Sequence, residues 1–241
     1  AMDFFLLFYY TDVAGINPAL AGSALLVGKL TWDAINDPLF GYFSDRTRSR
    51  FGRRRIYMLI AAVPLAIATW IQFSLPEGLT GIGAFLAVLL TFWLKDSFVT
   101  MAIVPYASLL AEVSRDYKER TSLALYKSAN SVVGYILGAA GVTVFVGLFK
   151  SLGMNVNQAW SATGAIYGSI AMITLLITTL TIKEPPEYSS NPSTIPVIQG
   201  LKLCFKNKPF IILMAVFFGA ALGYEFKINE FIEISVSHLT N

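Results

Sequence analysis

Residues 32–41 read Trp-Asp-Ala-Ile-Asn-Asp-Pro-Leu-Phe-Gly and lie inside an apolar block that extends over about residues 19–43. A block of this length suffices for an α-helix to cross a bilayer, which takes roughly 20 residues. Asp33 and Asp37 are therefore carboxylates inside a predicted membrane helix. A charge there is costly by a few kcal/mol, so it marks a functional site. This stretch predicts both the fold class and the place of the function.

The composition of the whole chain agrees with a membrane protein. Its 241 residues are 55% hydrophobic and only 14% charged, whereas soluble domains average about 25% charged residues. The sequence therefore predicts an all-α membrane protein. Further apolar blocks of spanning length lie at residues 56–75, about 81–110, about 123–149 and 159–182.

The two ends of the sequence predict incomplete helices. Residues 1–10 are apolar but offer only about half of a crossing. A signal peptide is the alternative, but the segment has no basic n-region and no small-residue cleavage site. A seventh apolar segment begins at residue 209 and is interrupted from Glu225 onward. We predict six crossings, the first truncated, and a partial seventh.

These segments give a predicted division of the chain. An N-terminal transmembrane bundle takes residues 1–182, an inter-half linker residues 183–208, and the incomplete start of a C-terminal bundle residues 209–241. Four prolines between residues 185 and 196 predict that the linker is a structureless connector.

The basic residues of the loops predict the orientation. Loops on one side of the membrane hold 13 Lys and Arg residues, and the alternate loops hold only Lys150. Short basic loops stay in the cytoplasm. We therefore expect a multi-pass protein of the cytoplasmic or plasma membrane, with its N-terminus and the 183–208 linker in the cytoplasm.

The sequence offers little support for an enzyme. Its single cysteine, Cys204, excludes an internal disulfide, and its single histidine, His238, lies in a polar tail. No nucleophile with a base, metal cluster or phosphate-binding loop is evident. We predict no enzyme activity, no cofactor and no nucleic-acid partner. A scaffold or receptor without transport is a further alternative, against which the buried carboxylates argue.

Polar residues of the second span point to a cation. Lys29, Asp33 and Asp37 follow each other at i, i+4 spacing on one helix face, with Asn36 beside them. Pro38 frees a backbone carbonyl one turn earlier. Carboxylate and amide oxygens suit a hard cation, while a protonated carboxylate would make the pair a proton carrier. Alternatively, Lys29 simply pairs with Asp33 to hold the bundle together.

Several motifs resemble one transporter family. Residues 32–41, followed by Ser-Asp-Arg-Thr-Arg-Ser-Arg-Phe-Gly-Arg at residues 44–53, closely resemble the glycoside-pentoside-hexuronide:cation symporters, the melibiose-permease-like branch of the major facilitator superfamily. Further matches are Tyr-Tyr-Thr-Asp at residues 9–12, Val-Pro-Tyr at residues 104–106, and Asp-Tyr-Lys-Glu-Arg-Thr at residues 116–121.

The resemblance implies a fold and a cation site. The family fold has twelve helices in two six-helix halves with the substrate cavity between them. This chain would be the N-terminal half plus a partial seventh helix, and its partner would be the C-terminal half of the same protein. The family's coupling-cation site matches Asp33, Asn36, Asp37 and Thr100 here.

The resemblance also implies where the substrate binds. A sugar-binding aspartate of the family aligns with Ile103, and an aromatic residue aligns with Ala107. We expect Asp96, two turns away on the same face, to take over as a polar contact. The family's helix-five arginine aligns with Lys127. The predicted substrate contacts are Lys127, Tyr106, Asp96, Tyr126 and Lys29.

The loop after the second span resembles the gating element of the superfamily, which clamps the two halves together on the inside. Alternatively, its arginines only satisfy the topology and contact anionic lipid. The predicted gating residues are Gly41, Asp45, Arg46, Gly52 and Arg53.

The resemblance thus implies a cation-coupled secondary transporter. It would carry a sugar or a glycoside-like solute together with Na⁺ or H⁺ by alternating access. Two alternatives stay open. One is a symporter of lysolipids or other amphiphiles from the same family, and the other is an inert half-transporter fragment.

Overall fold

The computed structural model of the chain describes residues 2–113, 116–182 and 197–216, together with residue 219. The chain divides into two units, Ala1–Ser193 and Thr194–Asn241. Every regular element of the described residues is helical, which confirms the predicted all-α fold. Helix α1 covers residues 2–13 in three turns of different pitch: Met2–Phe5, Leu6–Phe8 and Tyr9–Val13. The other helices of the first unit are α2 (Pro18–Arg46), α3 (Arg55–Gln72), α4 (Gly81–Val113), α5 (Tyr117–Ser151) and α6 (Val156–Thr181).

Four of the described helices are long and apolar enough to cross a membrane, namely α3, α4, α5 and α6. Helix α2 is not among them, although its 29 residues extend over about 43 Å at 1.5 Å per residue. Lys29, Asp33 and Asp37 lower its hydropathy. The charged side chains of the predicted site are therefore the reason that α2 is less apolar than the other spans.

Polar residues in the loops explain where two of the helices begin. The side chain of Asn17 accepts the backbone N–H of Ala19 at 2.9 Å, and Pro18 occupies the first turn of α2. Both features favour a helix start. Helix α6 begins with a capping box, in which Asn155 and Gln158 each accept the other's backbone N–H.

Helices α3, α4 and α6 form the centre of the bundle, and α2 packs against α4. At Gly168 of α6 the backbone of α3 approaches so closely that an added Cβ would lie 2.6 Å from the backbone oxygen of Ala66. Only glycine permits that approach. At one end of the bundle the buried Tyr9 hydroxyl donates to Asn157 and accepts the backbone N–H of Leu75, each at 3.0 Å. Tyr9 thereby ties α1 to α6 and to the loop after α3.

The second unit contains a short helix, α7 (Val197–Lys206), and residues 208–216 are also helical. The prediction that residues 183–208 are structureless is therefore wrong for residues 197–206. The physical reason is the position of the prolines, because all four precede residue 197 and leave a proline-free run after it. Residues 183–196 of the predicted linker, and most of the predicted partial helix after residue 216, lie outside the described residues.

Candidate cation site between helices α2 and α4

The first contact of the candidate site joins Asp37 of α2 to Thr100 of α4. The Thr100 hydroxyl donates to Asp37 Oδ1 at 3.2 Å. Thr100 is buried, whereas Asp37 is exposed. The structure thus brings together the carboxylate and the hydroxyl that the sequence placed on different spans, because α2 and α4 pack along each other.

A second contact lies one turn away. The Asn36 Nδ2 group donates to Asp96 Oδ2 at 3.1 Å, and Asn36 is only 1% exposed. Asp96 and Thr100 are four residues apart on α4, so both face α2. Asp96 is also a predicted substrate contact, two turns from Ile103 on the same face of α4. The structure places it against Asn36, whereas Ile103 lines an apolar cleft together with residues of α3 and α6.

Asp33 completes the group of acidic residues on α2. Its Oδ1 atom is buried and has no hydrogen-bond partner among the described residues. Within the same residues Lys29 forms no ion pair with Asp33, and its side chain is exposed. The alternative of a Lys29–Asp33 pair is therefore not what the structure shows. A buried carboxylate oxygen without a donor is unfavourable, and a bound cation would satisfy it.

The chemistry of these side chains fits a hard cation or a proton. Across the described ranges, no three His, Cys, Asp or Glu side chains lie close enough to hold one metal ion together. The candidate ligands are carboxylate, amide and hydroxyl oxygens, which suit hard cations. Asp33, Asn36, Asp37 and Thr100 supply these oxygens from two helices.

Two further contacts join α2 to α4 next to the site, and neither is predicted from the sequence. The rings of Trp32 and Trp93 stack at 5.1 Å between centroids, and the Trp32 indole N–H donates to the Ser97 hydroxyl at 2.9 Å. Lys95, which is 9% exposed, forms an ion pair with Asp3 of α1. Tryptophans in an apolar span resemble any other core residue, so the sequence carries no signal for this stack.

Of the other predicted substrate residues, the structure brings two together. The ammonium group of Lys127 on α5 lies 5.7 Å from the ring centroid of Tyr106 on α4, within cation–π range. Tyr126 is 69% exposed, and its side chain makes no hydrogen bond or ring contact within the described part of the chain. Within the same part of the chain, Lys29 forms no hydrogen bond, ion pair or cation–π contact with Lys127 or Tyr106.

The predicted gating loop connects α2 to α3. Asp45 Oδ1 lies 3.1 Å from Arg54 Nη2 and 3.9 Å from Arg53 Nη2. Both arginines are 7% exposed. The shorter ion pair is that of Arg54, which is not among the predicted gating residues. Gly52 has φ +105°, a conformation that favours glycine.

The other predicted gating residues have local roles. The Arg46 guanidinium lies 4.0 Å from the ring centroid of Tyr42, on the same helix, and donates to its hydroxyl. An added Cβ at Gly41 would lie 3.8 Å from Val104 Cγ1, an ordinary contact. At the same end of the bundle, Arg55 Nε donates to the backbone oxygen of Thr179 at 2.7 Å and thereby connects α3 to α6.

Comparison with known proteins points to one family. A sequence model described as MFS/sugar transport protein matches residues 1–230. The chain is 36% identical over 186 residues to an uncharacterized symporter of Synechocystis sp., and the match covers 75% of this chain and 34% of that protein.

Two relatives have names that state what they transport. The chain is 27% identical to the isoprimeverose transporter of Lactiplantibacillus pentosus, over 92% of this chain and 46% of that protein. It is 29% identical to the sodium-dependent lysophosphatidylcholine symporter 1 of Mus musculus, over 93% of this chain and 47% of that protein. The chain thus spans less than half the length of each of these relatives.

Proposed function

The chain belongs to the MFS/sugar transport protein family, in its glycoside-pentoside-hexuronide:cation symporter branch, and from this premise we propose that it takes part in cation-coupled solute transport. The transported solute would be a sugar or a glycoside, and the coupling ion Na⁺ or H⁺. The observation that carries the proposal is the hydrogen bond between Thr100 and Asp37, beside the unpartnered oxygen of Asp33. An apolar helix has no structural need for two carboxylates one turn apart.

The coupling follows from the charge of the site. Without a cation, Asp33 and Asp37 place two negative charges one helical turn apart on α2, where they repel each other. Cation binding neutralises part of this charge and draws α2 and α4 together through their oxygen ligands. If the solute binds better to that arrangement, the cation must also bind better in the presence of the solute, because the coupling free energy is reciprocal.

The solute would contact the part of α4 that follows the cation site. Tyr106 lies six residues beyond Thr100, or about 9 Å along the helix, and Lys127 lies over its ring. A pyranose presents hydroxyl groups to a cation and an apolar face to an aromatic ring, so this pair suits a sugar. Tyr126 and Lys29 are exposed. They would contact the solute, or a second bundle, where either one approaches them.

The orientation and the gate are part of the same proposal. The excess of Lys and Arg in alternate loops predicts a cytoplasmic side for the α2–α3 loop. There Asp45 forms an ion pair with Arg54, and Gly41, Arg46, Gly52 and Arg53 are the other residues proposed for the gate. A second bundle would complete the cavity and close against this end when the cavity faces outward.

An amphiphilic solute is the second candidate, and a specific feature favours it. A cleft of about 310 Å³ between α3, α4 and α6 is lined by apolar side chains, among them Leu65, Ile103 and Leu175. A cleft of this kind can hold an alkyl chain but offers few groups for sugar hydroxyls. The relative named as a lysophosphatidylcholine symporter makes this class of solute worth testing.

Uptake measurements separate the candidates. The protein, expressed from its complete gene, is screened with radiolabelled pentosides, hexosides and lysophospholipids, each with Na⁺, with a proton gradient, and with neither. We expect ion-dependent uptake of a glycoside that Asp37→Ala abolishes. Ion-dependent uptake of a lysophospholipid alone would select the second candidate, and uptake insensitive to every ion gradient would refute coupling.

A further inference from the structure

We propose that Asp96 is a positioning residue of the cation site, which fixes the Asn36 amide so that its carbonyl oxygen is presented to the cation. This inference rests on the proposed function. It also replaces the expectation that Asp96 contacts substrate. The observation behind it is the hydrogen bond of 3.1 Å from Asn36 Nδ2 to Asp96 Oδ2, made by an asparagine that is 1% exposed.

The two ends of the Asn36 amide differ in their hydrogen bonding. One end donates through Nδ2 and the other accepts through Oδ1, and the orientation is set by the groups around it. An ionised carboxylate only accepts hydrogen bonds. Asp96 therefore accepts from the Nδ2 end of the amide, and the Oδ1 end points away from the Asp96 carboxylate.

The burial of Asn36 makes the orientation of its amide important. Because Asn36 is inaccessible to bulk water, a wrongly oriented amide would not be corrected by solvent, and it would place N–H groups where the cation needs an oxygen. A buried polar group without its partner is unfavourable by about 1–3 kcal/mol. The hydrogen bond to Asp96 removes that alternative orientation and prepares Asn36 as a ligand.

Asp96 orients a ligand of the cation and is not itself one. Within residues 2–113, 116–182, 197–216 and 219, Asp96 does not join Asp33 and Asp37 in a group that could hold one metal ion. Its partner is the ligand Asn36, as is typical of the outer residues that orient the ligands of a metal. Loss of such residues commonly lowers metal affinity by about 10–100-fold.

The test is binding of radiolabelled Na⁺ to the purified protein, expressed from its complete gene. The variants are Asp96→Ala, Asp96→Asn, Asn36→Ala, the double variant Asn36→Ala/Asp96→Ala, and Asp37→Ala as the reference for the site itself. The asparagine variant removes the charge but keeps an oxygen that can accept from Asn36. Thermal unfolding in K⁺, without Na⁺, confirms that each variant is folded.

We expect Asp96→Ala to raise the Na⁺ dissociation constant at least about tenfold, and Asp96→Asn to stay within about threefold of the unmodified protein. In the Asn36→Ala background, Asp96→Ala should have no further effect, because Asp96 acts through Asn36. An asparagine variant as weak as the alanine variant would show that charge, not positioning, matters. Equal effects of Asp96→Ala with and without Asn36 would also overturn the inference.

Asp37→Ala distinguishes failure of the inference from failure of the proposed function. If Asp37→Ala abolishes Na⁺ binding while Asp96→Ala leaves it unchanged, the site stands and the positioning role of Asp96 is wrong. If the unmodified protein does not bind Na⁺, or if Asp37→Ala binds it equally well, the inference fails. Uptake driven by a proton gradient then decides whether the proposed function fails with it.

Discussion

The hydroxyl of Thr100 donates a hydrogen bond of 3.2 Å to the carboxylate of Asp37 and thereby links α4 to α2. The hydroxyl keeps two lone pairs after this donation, so it can also bind a cation held by Asp37. Two helices thus contribute to one site, and cation binding can change how they pack. This is the structural basis of the coupling proposed above.

Replacing Thr100 tests that relationship. We expect Thr100→Val to raise the Na⁺ dissociation constant about tenfold, or about 1.4 kcal/mol, because the variant loses one oxygen ligand of the cation. Thr100→Ser keeps the hydroxyl and should retain binding. The measurement is binding of radiolabelled Na⁺. Thr143→Val, at an exposed position on α5, is the control, and equal binding by both valine variants would exclude Thr100 from the site.

Gly168 should tolerate no side chain. In Gly168→Ala the new Cβ would meet the backbone oxygen of Ala66 at 2.6 Å, and such overpacking destabilises proteins by about 1–3 kcal/mol. Gly147→Ala on α5 meets nothing within 4 Å and should be neutral or stabilising by up to about 1 kcal/mol. Thermal unfolding in detergent compares the two variants. A Gly168→Ala protein as stable as its Gly147→Ala counterpart would contradict the close approach of α3 and α6.

Arg54 should matter more for stability than the other arginines of its loop. It is 7% exposed and lies 3.1 Å from Asp45, although the exposed side of Asp45 limits the strength of the pair. We expect Arg54→Ala to lower the Tm by about 2–4 °C, which corresponds to about 1 kcal/mol in a chain of this size. Arg50→Ala, at an exposed position of the loop, should leave the Tm unchanged. If the two variants unfold at the same temperature, the pair has no stabilising effect.

The single cysteine can report the orientation. Cys204 is exposed and lies in the linker that we predict to be cytoplasmic. A membrane-impermeant maleimide should therefore label it only after the cells are permeabilised. A Ser151→Cys/Cys204→Ser variant moves the thiol to the predicted outer loop and should be labelled in intact cells. Labelling of Cys204 from outside would reverse the predicted topology.

Much of the fold and part of the site could be predicted from the sequence. Asp33 and Asp37 are conspicuous because charges are rare in apolar spans, and loops are visible as breaks between such spans. The partner of a side chain on another helix is not visible in this way. Asp96 contacts Asn36 because helix packing, not spacing along α4, decides which residue of α2 it meets.

Contacts between the helix surfaces were the least predictable. The stacking of Trp32 on Trp93 and the approach of α3 to Gly168 depend on how far one helix is shifted along another. An apolar membrane helix has no single polar face to fix that shift in advance. The substrate roles of Lys127, Tyr106, Tyr126 and Lys29 stay predictions, as do the predicted cation-binding and gating roles.

The most direct test of the central claim is ion-driven uptake in proteoliposomes that contain the protein expressed from its complete gene. Uptake of the solute identified by screening is measured with an imposed Na⁺ gradient, with an imposed H⁺ gradient, and with neither, for the unmodified protein and for Asp37→Asn. We predict that one of the two gradients drives accumulation and that Asp37→Asn abolishes this response. Uptake that is the same under all three conditions, or an unchanged response in Asp37→Asn, would contradict the account.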